Sequence, residues 1–258
     1  MSGSRMPENA YDDFTYEHLR HLLQSALDAG YRFVDYPSMA ASRDAEGVCV
    51  LRHDCDNDLV AALRMAEIEH ALGIQSTYFV LLRAAMHNLL NVTNRTLVQR
   101  ILALGHRLGL HYDAPSGSTD LPADLRPQID RERAWLEAEF GQPIEVVSFH
   151  QPGPAVLENR VQIGCLNTYD REDMAGFHYL SDSNWRWHEG CPSVLFRERT
   201  YPRVQLLLHP EIWTPVAEPV VAKWQRMLRH NYELVQGELL RRERSYDDPY
   251  DLHFVPRP

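Results

Sequence analysis

Val48-Cys49-Val50-Leu51-Arg52-His53-Asp54-Cys55-Asp56-Asn57-Asp58 joins a short apolar, β-branched run to three acids. Runs of this length and composition form buried strands. Strand side chains repeat every second residue, so Asp54 and Asp56 share one face at the strand's end and Cys55 points away from both. Two carboxylates converging there repel each other and need a cation, a shared proton or a substrate to hold them. Asp58 fits the N-cap of a helix that follows, and Cys49 fits apolar packing.

Outward from this strand, helical and extended patterns alternate. Leu19, Leu22, Leu23 and Leu27 predict a helix over 15–29, stopped by Gly30. A strand is expected over 31–36, a helix over 58–72 stopped by Gly73, and a strand over 76–82. Further helices are expected over 94–104 and 125–140, each ended by glycine, with strands over 107–112 and 144–149. Shorter strands fit 165–169, 178–181 and 204–208, before a long last helix over 217–240. Strands alternating with helices imply a parallel sheet, and the helix–Gly–strand cadence suits a barrel wound from β/α units. Residues 1–12 read as a loose arm and 113–124 as a long surface loop. No domain boundary or internal repeat is visible, so 1–258 is expected to be one domain.

The formal charge of −10 argues against a general binder of nucleic acid or anionic membrane, which need basic patches. No apolar run is long enough to span a membrane, and the polar N-terminus lacks a signal core. A cytoplasmic protein is therefore expected. The four cysteines show no C-x-x-C spacing, which disfavours a zinc knot or a disulfide framework. The oligomeric state is not legible.

Three apolar strands end in histidine: Gly109-Leu110-His111, Val147-Ser148-Phe149-His150 and Leu206-Leu207-Leu208-His209. A fourth ends in Asp54 and Asp56. In parallel α/β folds the carboxyl ends of the strands form the functional rim, so all four ends meet on one face. Imidazole and carboxylate together suit zinc or a similar divalent ion. His106, beside Gly105, belongs to a turn.

These motifs resemble the polysaccharide deacetylase family, carbohydrate esterase family four. Arg52-His53-Asp54-Cys55-Asp56, Gly105-His106-Arg107-Leu108-Gly109-Leu110-His111 and Leu206-Leu207-Leu208-His209-Pro210 carry the resemblance, with Ser181-Asp182-Ser183-Asn184-Trp185 similar to the family's Asp-and-Trp motif. It spans roughly residues 48 to 213. The Arg-His-Asp-x-Asp start and Leu-His-Pro-Glu end resemble a subgroup found with polysaccharide and O-antigen biosynthesis. The resemblance implies a single distorted (β/α) barrel and metal-assisted hydrolysis of an N-acyl, typically acetyl, sugar. By position it makes Asp54 the general base, His209 the proton donor to the leaving nitrogen, and Asp182 the acid that tunes His209. Asp56 and His111 match metal ligands. The family's second metal histidine, four residues after the first, is here Pro115, so His150 is the expected third ligand and Asp113 the second choice. The family's arginine-proline motif is altered to His150-Gln151-Pro152-Gly153-Pro154. Arg52, His53, Trp185 and Trp187 are expected on the substrate, with Trp213 equally a stacking or a core residue.

The implied cofactor is a divalent metal, zinc first. The implied partner is a small-molecule or saccharide substrate, nucleotide- and lipid-linked sugars included. Two rival readings stay open: hydrolysis of a non-sugar linear or cyclic amide on the same scaffold, and carbohydrate binding by a protein that has lost its metal.

Overall fold

β2 (Val48–Cys55) is buried along its whole length, and its two faces have different chemistry. Val50, Arg52 and Asp54 point into the barrel, whereas Cys49, Leu51, His53 and Cys55 point toward the surrounding helices. In this computed structural model residues 13–114, 121 and 123–243 are described. The expected N-terminal arm, Pro115 and most of the 113–124 loop lie outside them.

Eight parallel strands form one curved sheet, a distorted and incomplete (β/α) barrel. The other strands are β1 (Arg32–Phe33), β3 (Thr77–Leu81), β4 (Arg107–Asp113), β5 (Val146–His150), β6 (Leu166–Asn167), β7 (His178–Ser181) and β8 (Arg203–Leu208). Their order is β6-β5-β4-β3-β2-β8-β7, with β1 paired to the start of β2. Among the described residues no pairing closes β6 onto β7. β2 lies at the centre, in register with β3 (Asp54↔Phe79) and with β8 (His53↔Leu208).

The helices that separate the strands are α1 (Tyr16–Asp28), α2 (Tyr36–Met39), α3 (Leu59–Ala71), α4 (Val92–Ala103), α5 (Arg126–Phe140), α6 (Pro154–Leu157), α7 (Pro192–Arg197) and α8 (Val220–Arg242). Local chemistry sets their ends. The Thr15 side chain accepts from His18 N and Asp58 accepts from Ala61 N, which caps α1 and α3 as such residues do at orphaned N–H groups. The expected strand over 31–36 shrinks to Arg32–Phe33, because Asp35 caps α2 by accepting from Ser38 N. The expected strand over 165–169 likewise narrows to Leu166–Asn167.

Two apolar clusters fill the space between sheet and helices. One joins α3, α4 and α5 to the outer faces of β3, β4 and β5, and the other joins α1 and α7 to those of β2 and β8. A third, smaller cluster of Tyr36, Met39, Val50, Phe79 and Val146 plugs the barrel interior. Gly109 is required beside this plug: a Cβ there would meet the Phe79 ring at 2.5 Å. Polar side chains begin one strand step above the plug, and the site is built there. Among the described residues no helix is long and apolar enough to cross a membrane.

Candidate active site

The first polar layer is a buried clamp on Asp54. Arg52, two residues earlier on the same strand face, donates from Nη2 to Asp54 Oδ2 at 2.9 Å and to the Tyr169 hydroxyl at 2.9 Å. Ser148 on β5 donates its hydroxyl to the same Asp54 oxygen at 3.1 Å. The guanidinium lies over the Tyr169 ring, 4.9 Å from its centroid. Burial works against its charge, but Asp54 outweighs that and holds Arg52 above the ordinary arginine value. Asp54 Oδ2 is thus held twice, while Oδ1 is buried without a hydrogen-bond partner.

The next layer brings Asp56, His111 and His150 together. Each offers one ligand atom, and these atoms lie within 4.8 Å of one another. His111 Nε2 is 2.9 Å and His150 Nδ1 3.4 Å from Asp56 Oδ1. Asp56 Oδ1 is buried and makes no well-aligned hydrogen bond, so donors and acceptor converge without completing one another. Burial works to raise the Asp56 carboxyl, but the two imidazoles outweigh it and hold it well below the usual carboxylate range. Asp56 in turn raises His150. Two imidazoles and a carboxylate around a common point form a donor set that fits a tetrahedral divalent ion with one open position. Asp113, the second choice for third ligand, is not part of this group.

On the other side of β2 stands His209, directly after β8. Continuing the β2–β8 register by one step sets it beside Asp54. Its Nδ1 donates to Asp182 Oδ1 at 2.7 Å. Asp182 also accepts from the His209 backbone N–H at 3.0 Å and from Trp213 Nε1 at 2.9 Å. Burial works against an imidazolium here, but the Asp182 carboxylate prevails and pushes His209 up to about 10. Trp213 is fully buried, which resolves its role toward the core and toward holding Asp182.

A cleft of about 500 Å³ opens above these groups, lined by Asp54, Asp56, His111, His150, His209 and Trp185 among others. Trp185 is braced by Trp224, ring centroids 5.5 Å apart, and by the Lys223 ammonium 5.4 Å from its ring. Three residues of the cleft wall, Gln151, Asn184 and Trp185, hold positive φ angles of 47°, 59° and 62°. Non-glycine residues in that region carry strain, which clusters at ligand sites.

Not every expected substrate contact reaches this cleft. Arg52 is fully buried beneath Asp54 and acts on the carboxylate, so it is placed where no substrate reaches. His53 faces the opposite side of the strand, stacks on Tyr78 and sits 2.7 Å from Glu69 in a buried cluster with Ser76 and His106. The alternation of side chains along β2 forces this separation. Trp187 packs on Phe14 and Trp213 rather than on the cleft. Conversely, Ser148, Tyr169, Asn57, Glu211 and Trp224 belong to the site or line it; Tyr169 and Trp224 lie outside every sequence motif, and the motifs that contain the other three assigned them no role.

No family model matches this chain, and no curated protein matches it. Solved structures similar to it include family 4 carbohydrate esterases and deacetylases of chitin and peptidoglycan. A family 4 acetyl xylan esterase from Clostridium thermocellum, in complex with a cobalt ion, is 16% identical with a TM-score of 0.42, over 72% of this chain and 84% of that one. The chitin deacetylase of Colletotrichum lindemuthianum is 15% identical with a TM-score of 0.41, over 72% and 83%. A mutant of a family 4 pseudoenzyme with restored enzymatic activity is 14% identical with a TM-score of 0.41, over 72% of this chain and 63% of its own length.

Proposed function

We propose that this protein is a metal-dependent hydrolase that removes an N-acyl group from a sugar. The observation that carries this reading is the asymmetry of Asp54: one oxygen is gripped by Arg52 and Ser148, the other is buried and free, one strand away from a charged His209. A base and an acid held side by side are what hydrolysis of an amide requires, because water attacks it poorly and the nitrogen leaves poorly unprotonated.

Asp56, His111 and His150 would hold the metal, and zinc suits two imidazoles and a carboxylate. When bound, such an ion makes water more acidic and polarises an acyl oxygen. Asp54 takes the proton of the attacking water through Oδ1, while Arg52 and Ser148 keep the carboxylate from turning. His209 gives its proton to the departing nitrogen through Nε2, since Nδ1 is committed to Asp182. Asp182 holds the His209 ring in place, because its two oxygens accept from His209 and Trp213. Trp185 offers a flat apolar face for a sugar ring at the cleft wall.

The test pairs two conservative variants. Asp54→Asn should retain metal by elemental analysis and lose release of amine from N-acetylated sugars. Asp56→Asn should lose both. Equal metal loss in the two variants would contradict this division of labour. A metal-loaded wild type that releases no amine from a broad panel of N-acyl sugars would overturn the reaction itself.

A further inference from the structure

Glu211 places a carboxyl group in the cleft wall that the scheme above leaves without a task. It lies in the 3-10 turn Pro210–Ile212 that follows His209, and 7% of it is exposed. Pro210 starts that turn and the chain folds back, which returns the Glu211 side chain to the cleft. Its Oε1 accepts from Asn57 Nδ2 at 2.9 Å, and Asn57 lines the same cleft next to Asp56. That bond orients the carboxyl group. Its Oε2 is buried and has no hydrogen-bond partner.

A buried polar atom without a partner is strongly unfavourable, and native structures keep few of them. Glu211 is not one of the three groups that converge on a metal position. Glu211 lines the cleft, so a polar group of a molecule bound there is placed to complete Oε2. We infer that Glu211 is a specificity-determining residue whose Oε2 hydrogen-bonds a hydroxyl group of the bound substrate. A hydroxyl suits a carboxyl group in either ionisation state, because it donates to a carboxylate and accepts from a carboxylic acid. An ether oxygen would suit only the acid, and an ammonium only the carboxylate. The inference rests on the proposed function in one respect: the molecule bearing the hydroxyl is taken to be the acylated sugar.

The experiment uses the methyl glycoside of N-acetylglucosamine and the set of its monodeoxy analogues, with the metal-loaded full chain. Amine release gives kcat/KM, and calorimetry gives affinity independently of turnover. Wild type should discriminate against one monodeoxy analogue by about five- to a hundredfold, the range for leaving one buried polar atom unpaired. Glu211→Ala should lose that factor on the parent glycoside and almost nothing on that analogue. Glu211→Gln, which still hydrogen-bonds, should keep most of the discrimination. If Glu211→Ala does not fold, Glu211→Leu, closer in volume, makes the same comparison. Equal weakening toward parent and every analogue would overturn the inference, and so would absence of binding by all of them. Binding with a Glu211-dependent preference for one hydroxyl, but no amine release, would uphold this inference while refuting the proposed reaction.

Discussion

Replacing Arg52 by methionine separates a clamp on the base from a contact with substrate. The guanidinium is fully buried and Asp54 is 2% exposed, with 2.9 Å between them. Removing one partner of such a pair strands the other charge out of water, at a cost of about 3–5 kcal/mol. Against a typical stability of roughly 5–15 kcal/mol, that is about a fifth of the total or more. Asp54→Asn should cost a similar amount, because it strands Arg52. The double variant Arg52→Met/Asp54→Asn strands neither, so its loss should fall short of the sum by at least about 2 kcal/mol. Urea unfolding of the metal-free protein measures all three. In activity assays, Arg52→Met should lower kcat and leave KM nearly unchanged. Additive stability losses, or a raised KM at unchanged stability, would refute the clamp and return Arg52 to the substrate.

Three other outcomes follow from particular contacts. His209 is held near 10 against an ordinary value of 6.5, so its ion pair contributes stability that is complete below about pH 6.5 and lost as pH rises through about 10. In metal-free protein the stability gap between wild type and His209→Gln, followed by urea titration, should be flat in acid and shrink through that window; a gap that widens with pH would contradict the pairing. Gly109→Ala should destabilise by about 1–3 kcal/mol, seen as a lowered Tm, since the new methyl meets the Phe79 ring at 2.5 Å. His150→Ala should lose most of its bound metal while Asp113→Ala keeps it; elemental analysis showing the reverse would reassign the third ligand.

The rim was readable because its logic is local. Apolar runs that end in Asp54, His111, His150 and His209 mark strand ends, and glycines 30, 73, 105 and 141, all at positive φ, mark where helices stop. The period of two also held the role of Arg52, which shares its face with Asp54, and denied His53 any place in the cleft. Other parts depend on chain returns that no local pattern encodes. Tyr169 reaches Arg52 from a loop beyond β6, and Glu69 reaches His53 from a helix whose azimuth only packing decides. Glu211 was visible as the end of a motif, but its function depends on the turn after Pro210. Tryptophan identity alone could not separate Trp185 at the cleft from Trp213 in the core and Trp187 packed against it.

The register between β2 and β8 has a thermodynamic consequence. Asp54, His111 and His150 lie within strands, and Asp56 and His209 sit one residue past them. Their mutual spacing is therefore set by the backbone ladder of the central strands. Local opening events that free a surface loop leave such a ladder intact. Amide hydrogens along 48–55 and 107–111 should then exchange only through global unfolding, and the machinery should stay assembled until the whole sheet melts. The turns that carry Gln151 and Asn184 lie outside that ladder. Adaptation to differently shaped substrates is left to them, on a base that does not give.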